Sequence, residues 1–290
     1  MYRLTIMQNN IKSVLSVAAI QMCSRDNIEE NLAKAESLIH QAADMGVELV
    51  VLPEAFTFLS TNHAQKQITG QQEKTVTGPV RSALSAMAKK YQLYIVAGTI
   101  PVCDNLQDPR PYAACFFYDS TGQEISRYNK IHLFNVSVND KQGQYRESAF
   151  YQPGKTITIT DTIFGRIGFA VCYDLRFPEF FRILFQQQVD IIVLPSAFTQ
   201  VTGSAHWLTL LKARAIENQC FIIAANQTGN NTEKQQTYGH SAIISAWGEV
   251  LDIINTDEGL AYAKLNREDL QDIRMKMALH EHQRFFVDYP

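Results

Sequence analysis

Short apolar runs alternate with stretches of helical periodicity along almost the whole chain. Val14 to Met22 is β-branched and apolar, the pattern of a buried strand. Asn27, with Glu30 three residues on, reads as the N-cap of a helix whose Ile28, Leu32, Ala35, Ile39 and Ala42 recur on one face. Gly46 closes that helix. Val47 to Leu52 predicts a strand broken only by Glu48. Pro79 opens a second helix with Val80, Leu84, Met87 and Tyr91 inward, and Leu93 to Ile100 returns as a strand. Ala113 to Tyr118 and Gln123 to Tyr128 flank Ser120, Thr121 and Gly122 as the arms of a hairpin.

The second half repeats the theme. A strand over Arg166 to Cys172 leads to a helix from Pro178, a strand over Val189 to Leu194, a helix over Ser204 to Asn218 and a strand over Cys220 to Ala225. Further strands are expected around Ser241 to Ala246 and Glu249 to Ile254. Val51-Leu52-Pro53-Glu54 in the first half is echoed by Val193-Leu194-Pro195-Ser196 in the second, so two similar βαβ units are expected to pack together. No Gly/Ser/Pro-rich linker separates them. The reading is an α/β fold in which residues 1–13 form an N-terminal extension and residues 14–290 a single domain, two mixed sheets covered by helices on both outer faces.

Charge and composition narrow the function. With 26 Lys and Arg against 29 Asp and Glu, the net charge of −3 gives no field for phosphate-driven nucleic-acid binding. Runs such as Ile167 to Cys172 fall far short of the ~20 apolar residues that cross a bilayer, and Gln8, Asn9 and Asn10 interrupt any secretory leader. Neither a nucleic-acid nor a membrane partner is expected. Five widely spaced cysteines suit reduced thiols and a cytoplasmic location. His132, His206, His240, His280 and His282 lack metal-ligand spacing, so no metal is expected.

In α/β sheets chemistry gathers where buried strands give way to loops at their carboxyl ends. Glu54, Lys130 and Cys172 each stand where an apolar run stops. Singly, they read as a capping carboxylate, a surface lysine and a buried apolar thiol. Together they are the set needed for acyl transfer: a nucleophile, a base for its proton and a cation for the oxyanion. The Tyr173 N–H is a second candidate oxyanion donor. The helix N-terminus after Cys172 is expected to keep its thiol partly ionised. Arg176, four residues beyond, is a candidate fork for a substrate carboxylate, with a salt bridge to Asp174 or Glu179 as the structural alternative.

The blocks VVLPEAF, RYNKIHLF and GFAVCYDLRFPE, followed by VLPSAFTQVTGSAHWLTLLKARAIENQC and YGHSAIISAWGEV, resemble the nitrilase superfamily of carbon–nitrogen hydrolases across essentially the whole chain. That resemblance implies a four-layer α-β-β-α sandwich and a catalytic Glu54–Lys130–Cys172 triad. It also implies a supporting carboxylate at Glu147, no cofactor, a small-molecule amide as substrate, and homodimers or larger homo-oligomers. YDLRFPE, PSAFTQVTGSAHW and YGHS further resemble the Nit branch. This implies deaminated glutathione as substrate or, alternatively, the smaller α-ketoglutaramate, with the stretches Thr199 to His206 and Gln227 to Tyr238 deciding between them. Another amide, carbamoyl compound or nitrile would use the same triad. A thiol redox sensor or a catalytically silent scaffold is the alternative from another class. Of the remaining features, Trp207, Leu210, Leu211 and Ile216 read as core or dimer contact, with Arg214 and Glu217 as interface ion pairs. Thr228 to Thr232 reads as a loop and His280-Glu281-His282 as a solvated segment.

Overall fold

Strand β1 (Val14–Gln21) shows how the layers are built. Its Val17 and Ala19 face one apolar cluster and its Ala18 and Ile20 another, the period-two alternation of a strand buried on both sides. In the computed structural model, residues 12–60, 62–104 and 107–288 are described, so most of the expected N-terminal extension, residues 1–11, lies outside the described residues.

From β1 the chain runs through α1 (Ile28–Asp44), β2 (Leu49–Val51), α2 (His63–Gln72), α3 (Pro79–Tyr91) and β3 (Tyr94–Val102) to a hairpin of β4 (Tyr112–Tyr118) and β5 (Glu124–Asn129). Asn27 caps α1 by accepting from the Glu30 N–H, and Pro79 stands in the first turn of α3, as the sequence predicts. A small pair, β6 (Asn135–Ser137) and β7 (Gln144–Arg146), precedes β8 (Ile159–Thr162) and β9 (Gly165–Phe169). Then come α4 (Pro178–Gln186), β10 (Ile191–Ser196), α5 (Gln200–Asn218) and β11 (Phe221–Asn226). The chain ends through a short hairpin of β12 (Thr228–Asn230) and β13 (Gln236–Tyr238), then β14 (Ala242–Ile244), β15 (Val250–Ile253), β16 (Gly259–Asn266), α6 (Arg267–Lys276) and α7 (Leu279–His282).

Two six-stranded sheets result, ordered β16-β1-β2-β3-β4-β5 and β15-β14-β11-β10-β9-β8. In each, three parallel strands, β1-β2-β3 or β9-β10-β11, are flanked by antiparallel ones. The echoed Leu-Pro segments therefore occupy equivalent places, since β2 and β10 are the middle strands of the two triplets. Val51, Val96 and Phe117 of the first sheet face Phe169, Val193 and Ile223 of the second across the central layer. The outer face of the first sheet is covered by Leu38 and Ile39 of α1 and Leu84 of α3, that of the second by Phe181 of α4 and Trp207 and Leu211 of α5. This is the expected four-layer α-β-β-α sandwich.

Several expectations are corrected. Helix α5 begins at Gln200, not Ser204, capped by Thr199. Gly203 resembles a breaker, but it sits in the first turn because any Cβ there would meet the Tyr238 side chain at 2.3 Å. Helix α2 is polar on nearly every face and carries no periodic signal. Strand β16 and helix α6 are additions to the elements expected from the sequence. Thr228 to Thr232 is not a plain loop, since its first three residues form β12. Within the segment expected to be solvated, Glu281 and His282 are exposed, but the half-buried His280 ring stacks on Phe185 at 3.8 Å.

Candidate active site

Glu54, Lys130 and Cys172 converge where the ends of three strands meet. Glu54 follows the middle strand of the first sheet, and its backbone is held from both sides. Gln227 Nε2 donates to the Glu54 carbonyl at 3.0 Å, while the Ala55 N–H donates to Thr99 Oγ1 at 3.0 Å. Gly98 on β3 permits this approach, because a Cβ there would lie 1.7 Å from the Pro53 carbonyl oxygen. Lys130 follows β5, its N–H bonded to the Ala113 carbonyl and its own carbonyl accepting from Gly154. Cys172 opens a 3₁₀ turn, Cys172–Arg176, with φ of +47°, a left-handed conformation that is strained for a side chain with a Cβ and places the thiol at a sharp corner.

Asp174 pins that corner to the lysine. Fully buried, it accepts from the Val171 N–H at 2.8 Å and the Tyr128 hydroxyl at 2.8 Å, and it bonds His132 through the backbone N–H at 3.1 Å and Nδ1 at 2.7 Å. Tyr128 and His132 bracket Lys130, so one carboxylate fixes the spacing between nucleophile and cation. At the far end of the turn Arg214 donates twice to the Leu175 carbonyl, at 3.1 and 2.9 Å. Arg214 is therefore turned inward, pairing with Glu217 along its own helix at 2.8 Å, and is not a surface partner for another subunit.

The reactive groups are in contact. Lys130 Nζ lies 2.7 Å from Glu54 Oε1 and 3.0 and 2.8 Å from the two oxygens of Glu147. Glu147, at the head of a 3₁₀ turn after β7, also accepts from the Phe134 N–H at 2.6 Å. Beside the Cys172 thiol stand the Glu54 carboxylate and the Ala197 N–H, the first raising and the second lowering the proton affinity of the sulfur. Glu54, Lys130 and Cys172 are only 7%, 1% and 6% exposed, and this dryness sets their proton affinities. Burial, then the Glu147 charge, raises the Glu54 carboxyl above the ordinary carboxylate range although Lys130 pulls it down. Burial works against the Lys130 ammonium, but the Glu147 and Glu54 carboxylates outweigh it and hold the lysine charged. Burial and then Glu54 push Cys172 well above the usual thiol value. The expectation of a partly ionised thiol is thus overturned. The local charge beside the sulfur is the Glu54 carboxylate, so Cys172 rests as a thiol with its base already in contact.

These groups line a cavity of about 140 Å³ together with Phe134, Tyr145, Phe150, Tyr151, Lys66, Gln142, Arg146 and Gln235. Lys66, from the unread helix α2, stands half-buried 4.9 Å above the Phe150 ring and 5.3 Å above that of Tyr151. Neither Lys66 nor Arg146 has an ion-pair partner among the described residues. Arg176 does not line this cavity. It borders a crevice of about 10 Å³ beside Cys172, Tyr173 and Ala197, with its guanidinium 5.3 Å over the Phe198 ring and 3.2 Å from His206 Nδ1. The alternative salt bridge to Asp174 or Glu179 does not form among the described residues. Sequence reasoning missed Lys66, Gln142 and Arg146, whereas Gln235 falls within the stretch Gln227 to Tyr238 expected to decide the substrate. Only Arg146, beside Glu147, stood next to a residue already singled out. No group of His, Cys, Asp and Glu among the described residues is arranged to hold a metal ion.

Comparison with known proteins places the chain in a family. The chain is 40% identical over 270 residues to the deaminated glutathione amidase of Yersinia enterocolitica, covering 93% of each chain. Its structure is similar to that of the C. elegans NitFhit protein, with a TM-score of 0.85 and 32% identity over 94% of this chain and 66% of that longer one. It is also similar to Nit3 of Saccharomyces cerevisiae, a member of branch 10 of the nitrilase superfamily, with a TM-score of 0.84 and 28% identity over 95% and 98% of the two chains. Residues 16–275 match the carbon–nitrogen hydrolase family, and the chain belongs to it: it is a hydrolase of carbon–nitrogen bonds other than peptide bonds.

Proposed function

We propose that this enzyme hydrolyses the amide of deaminated glutathione, releasing α-ketoglutarate and Cys-Gly. The observation that carries the chemistry is the chain of neighbours Cys172–Glu54–Lys130–Glu147, in which Glu54, Lys130 and Cys172 are almost wholly buried. What supports the substrate is the 40% identical relative of that name, together with a cavity whose Lys66 and Arg146 form no ion pair among the described residues.

In the proposed cycle the amide carbonyl oxygen meets Lys130 Nζ and the Tyr173 N–H. Cys172 Sγ attacks the carbonyl carbon as its proton passes to Glu54, and the negative charge that develops on oxygen is met by donors already in place. Glu54 then returns the proton to the departing nitrogen, the C–N bond breaks, and an acyl thioester remains. Water enters, Glu54 takes its proton, and hydrolysis frees the acid and restores the thiol. Glu147 holds the Lys130 ammonium on the oxyanion side throughout. The acyl carboxylate falls to Lys66, the cation that borders this cavity over two aromatic faces, with Arg176 as the competing anchor. A thiol pushed up by burial and a neighbouring carboxylate is a poor peroxide sensor, which disfavours the redox reading.

Five unpaired cysteines support a reducing, cytoplasmic setting for this enzyme. The exposed Ile216 and Trp247 support a homodimer or larger homo-oligomer, which sedimentation equilibrium tests directly. The decisive experiment on function is kcat/KM for deaminated glutathione and α-ketoglutaramate side by side, with Cys172→Ala as the blank. The first is expected to be preferred, and preference for the second would redefine the enzyme as an ω-amidase with the same mechanism.

A further inference from the structure

A second cavity, of about 220 Å³, lies between the β6–β7 loop, the start of α5 and the β12–β13 hairpin. It adjoins the active-site cavity, because Gln235 lines both and Gln142, which lines the first, is the chain neighbour of Lys141, which lines the second. Its walls are preformed. Thr232 Oγ1 accepts from the N–H groups of Lys234 and Gln235, and Asn231 Nδ2 donates to the Ser24 carbonyl. Asp140 Oδ1 accepts from the N–H groups of Gln142 and Gly143, while Oδ2 accepts from the Tyr145 hydroxyl.

Two features of this junction are left unmatched by the protein. Gln142 Oε1 is buried and has no hydrogen-bond partner, and a buried acceptor without one is costly unless a ligand supplies the donor. Lys141 and Lys234 form no ion pair among the described residues, whereas the carboxylate of Asp140 is committed to its own loop. Glu233 stands on the same lining, exposed and likewise without an ion-pair partner.

We propose that this second cavity is the leaving-group subsite. It takes the amine half of the substrate, a short peptide ending in a free carboxylate, donating a peptide N–H to Gln142 Oε1 and placing its carboxylate on Lys141 and Lys234. The assignment rests on the reading of the site as an amidase for deaminated glutathione, whose amine half is Cys-Gly. It explains how one catalytic centre separates that substrate from α-ketoglutaramate: both present the same acyl half to Cys172, but only the larger one has atoms to place beyond Gln142 and Gln235. Glu233 opposes a carboxylate there, which makes the subsite an adjustable filter.

The test is steady-state kinetics on both substrates with wild type, the double variant Lys141→Gln/Lys234→Gln, and Glu233→Gln. These positions are exposed, and unchanged melting temperatures verify folding. The double variant is expected to raise KM for deaminated glutathione about tenfold, the scale of two exposed charge contacts, with kcat nearly unchanged. Its kinetics on α-ketoglutaramate should match wild type, and Glu233→Gln should lower KM for deaminated glutathione alone. If wild type cleaves deaminated glutathione but the double variant has unaltered KM, or loses equally on both substrates, the subsite is overturned while the function stands. If wild type cleaves only α-ketoglutaramate, both are overturned.

Discussion

The active-site cavity has a floor and a rim, and they are built by opposite rules. On the floor, Glu54, Lys130 and Cys172 are almost wholly buried, and each carboxylate or ammonium is matched by at least one partner within 3.0 Å. On the rim, Lys66 and Gln142 are half-buried and Arg146 is exposed; among the described residues the two cations form no ion pair and Gln142 Oε1 has no hydrogen-bond donor. A buried charged cluster holds its geometry only if every member is satisfied, so the floor is fixed before any substrate arrives. A rim with unspent cations and an unmatched acceptor has its partners supplied from outside. The floor therefore carries the reaction, and the rim carries the choice of substrate.

Mutations should split along the same line. Cys172→Ala is expected to lower kcat by at least about 10⁴-fold with the fold intact, as removing a nucleophile does, and Glu54→Gln should follow it closely. Turnover of any amide at the wild-type rate by Cys172→Ala would dissolve the distinction between floor and rim. Asp174→Asn leaves every reacting group in place but loosens the link between the Cys172 corner and the Lys130 strand. A loss near 100-fold in kcat is expected, with KM less affected, because small misplacements of reacting groups are that costly. Rescue by no other carboxylate position distinguishes this from a general loss of stability, which circular dichroism melting would report separately.

The pH profile sharpens the comparison further. Glu54 must be ionised to take the thiol proton, and its carboxyl is raised by burial and by Glu147. The rate should therefore fall on acidification at a pH above the ordinary carboxylate range, as Glu54 protonates. Glu147→Gln removes one of the charges that raise it, so the acidic limb should move to lower pH even as kcat drops about 100-fold from the loss of oxyanion support. An acidic limb that stays fixed in this variant would mean that a group other than Glu54 governs it. The smallest effects belong to the rim. Lys66→Met is expected to raise KM for α-keto acid amides about tenfold with kcat preserved, and Arg176→Lys to change little. The reverse ranking would return the acyl carboxylate to Arg176.

What was legible in the sequence follows from the same physics. Glu54 and Cys172 were visible because each follows a buried strand that announces itself as an apolar run, whereas Lys130 follows the half-exposed edge strand β5 and stood out only in combination with the other two. The layered fold was legible for the same reason, through the matching middle strands β2 and β10. Lys66 was not, because α2 presents polar residues on nearly every face and owes its position to Gly70 lying against Cys103 and Pro111, a tertiary contact without local signal. Gln142 sits in a short loop whose turn chemistry predicts a bend but not which residue borders a cavity, and Gln235 was reached only as part of the stretch Gln227 to Tyr238. The ionisation state of Cys172 was misjudged because the helix N-terminus is visible in sequence, whereas the dryness around the sulfur is not.

Strand β1 lies between β2 and β16, the last strand of the chain, which runs antiparallel to it from Val14 opposite Asn266 to Gln21 opposite Gly259. Synthesis from the amino end therefore finishes one strand nearly the whole length of the protein before its neighbour. Until Gly259–Asn266 emerges from the ribosome, the segment VLSVAAIQ has an open edge, and Gln21 lacks the Asn255 and Asp257 carbonyls and the Ser241 N–H that later satisfy its amide. Chains released early by a premature stop before Gly259 expose an apolar strand seeking a partner, and are destined for chaperones or aggregates and not for partial activity.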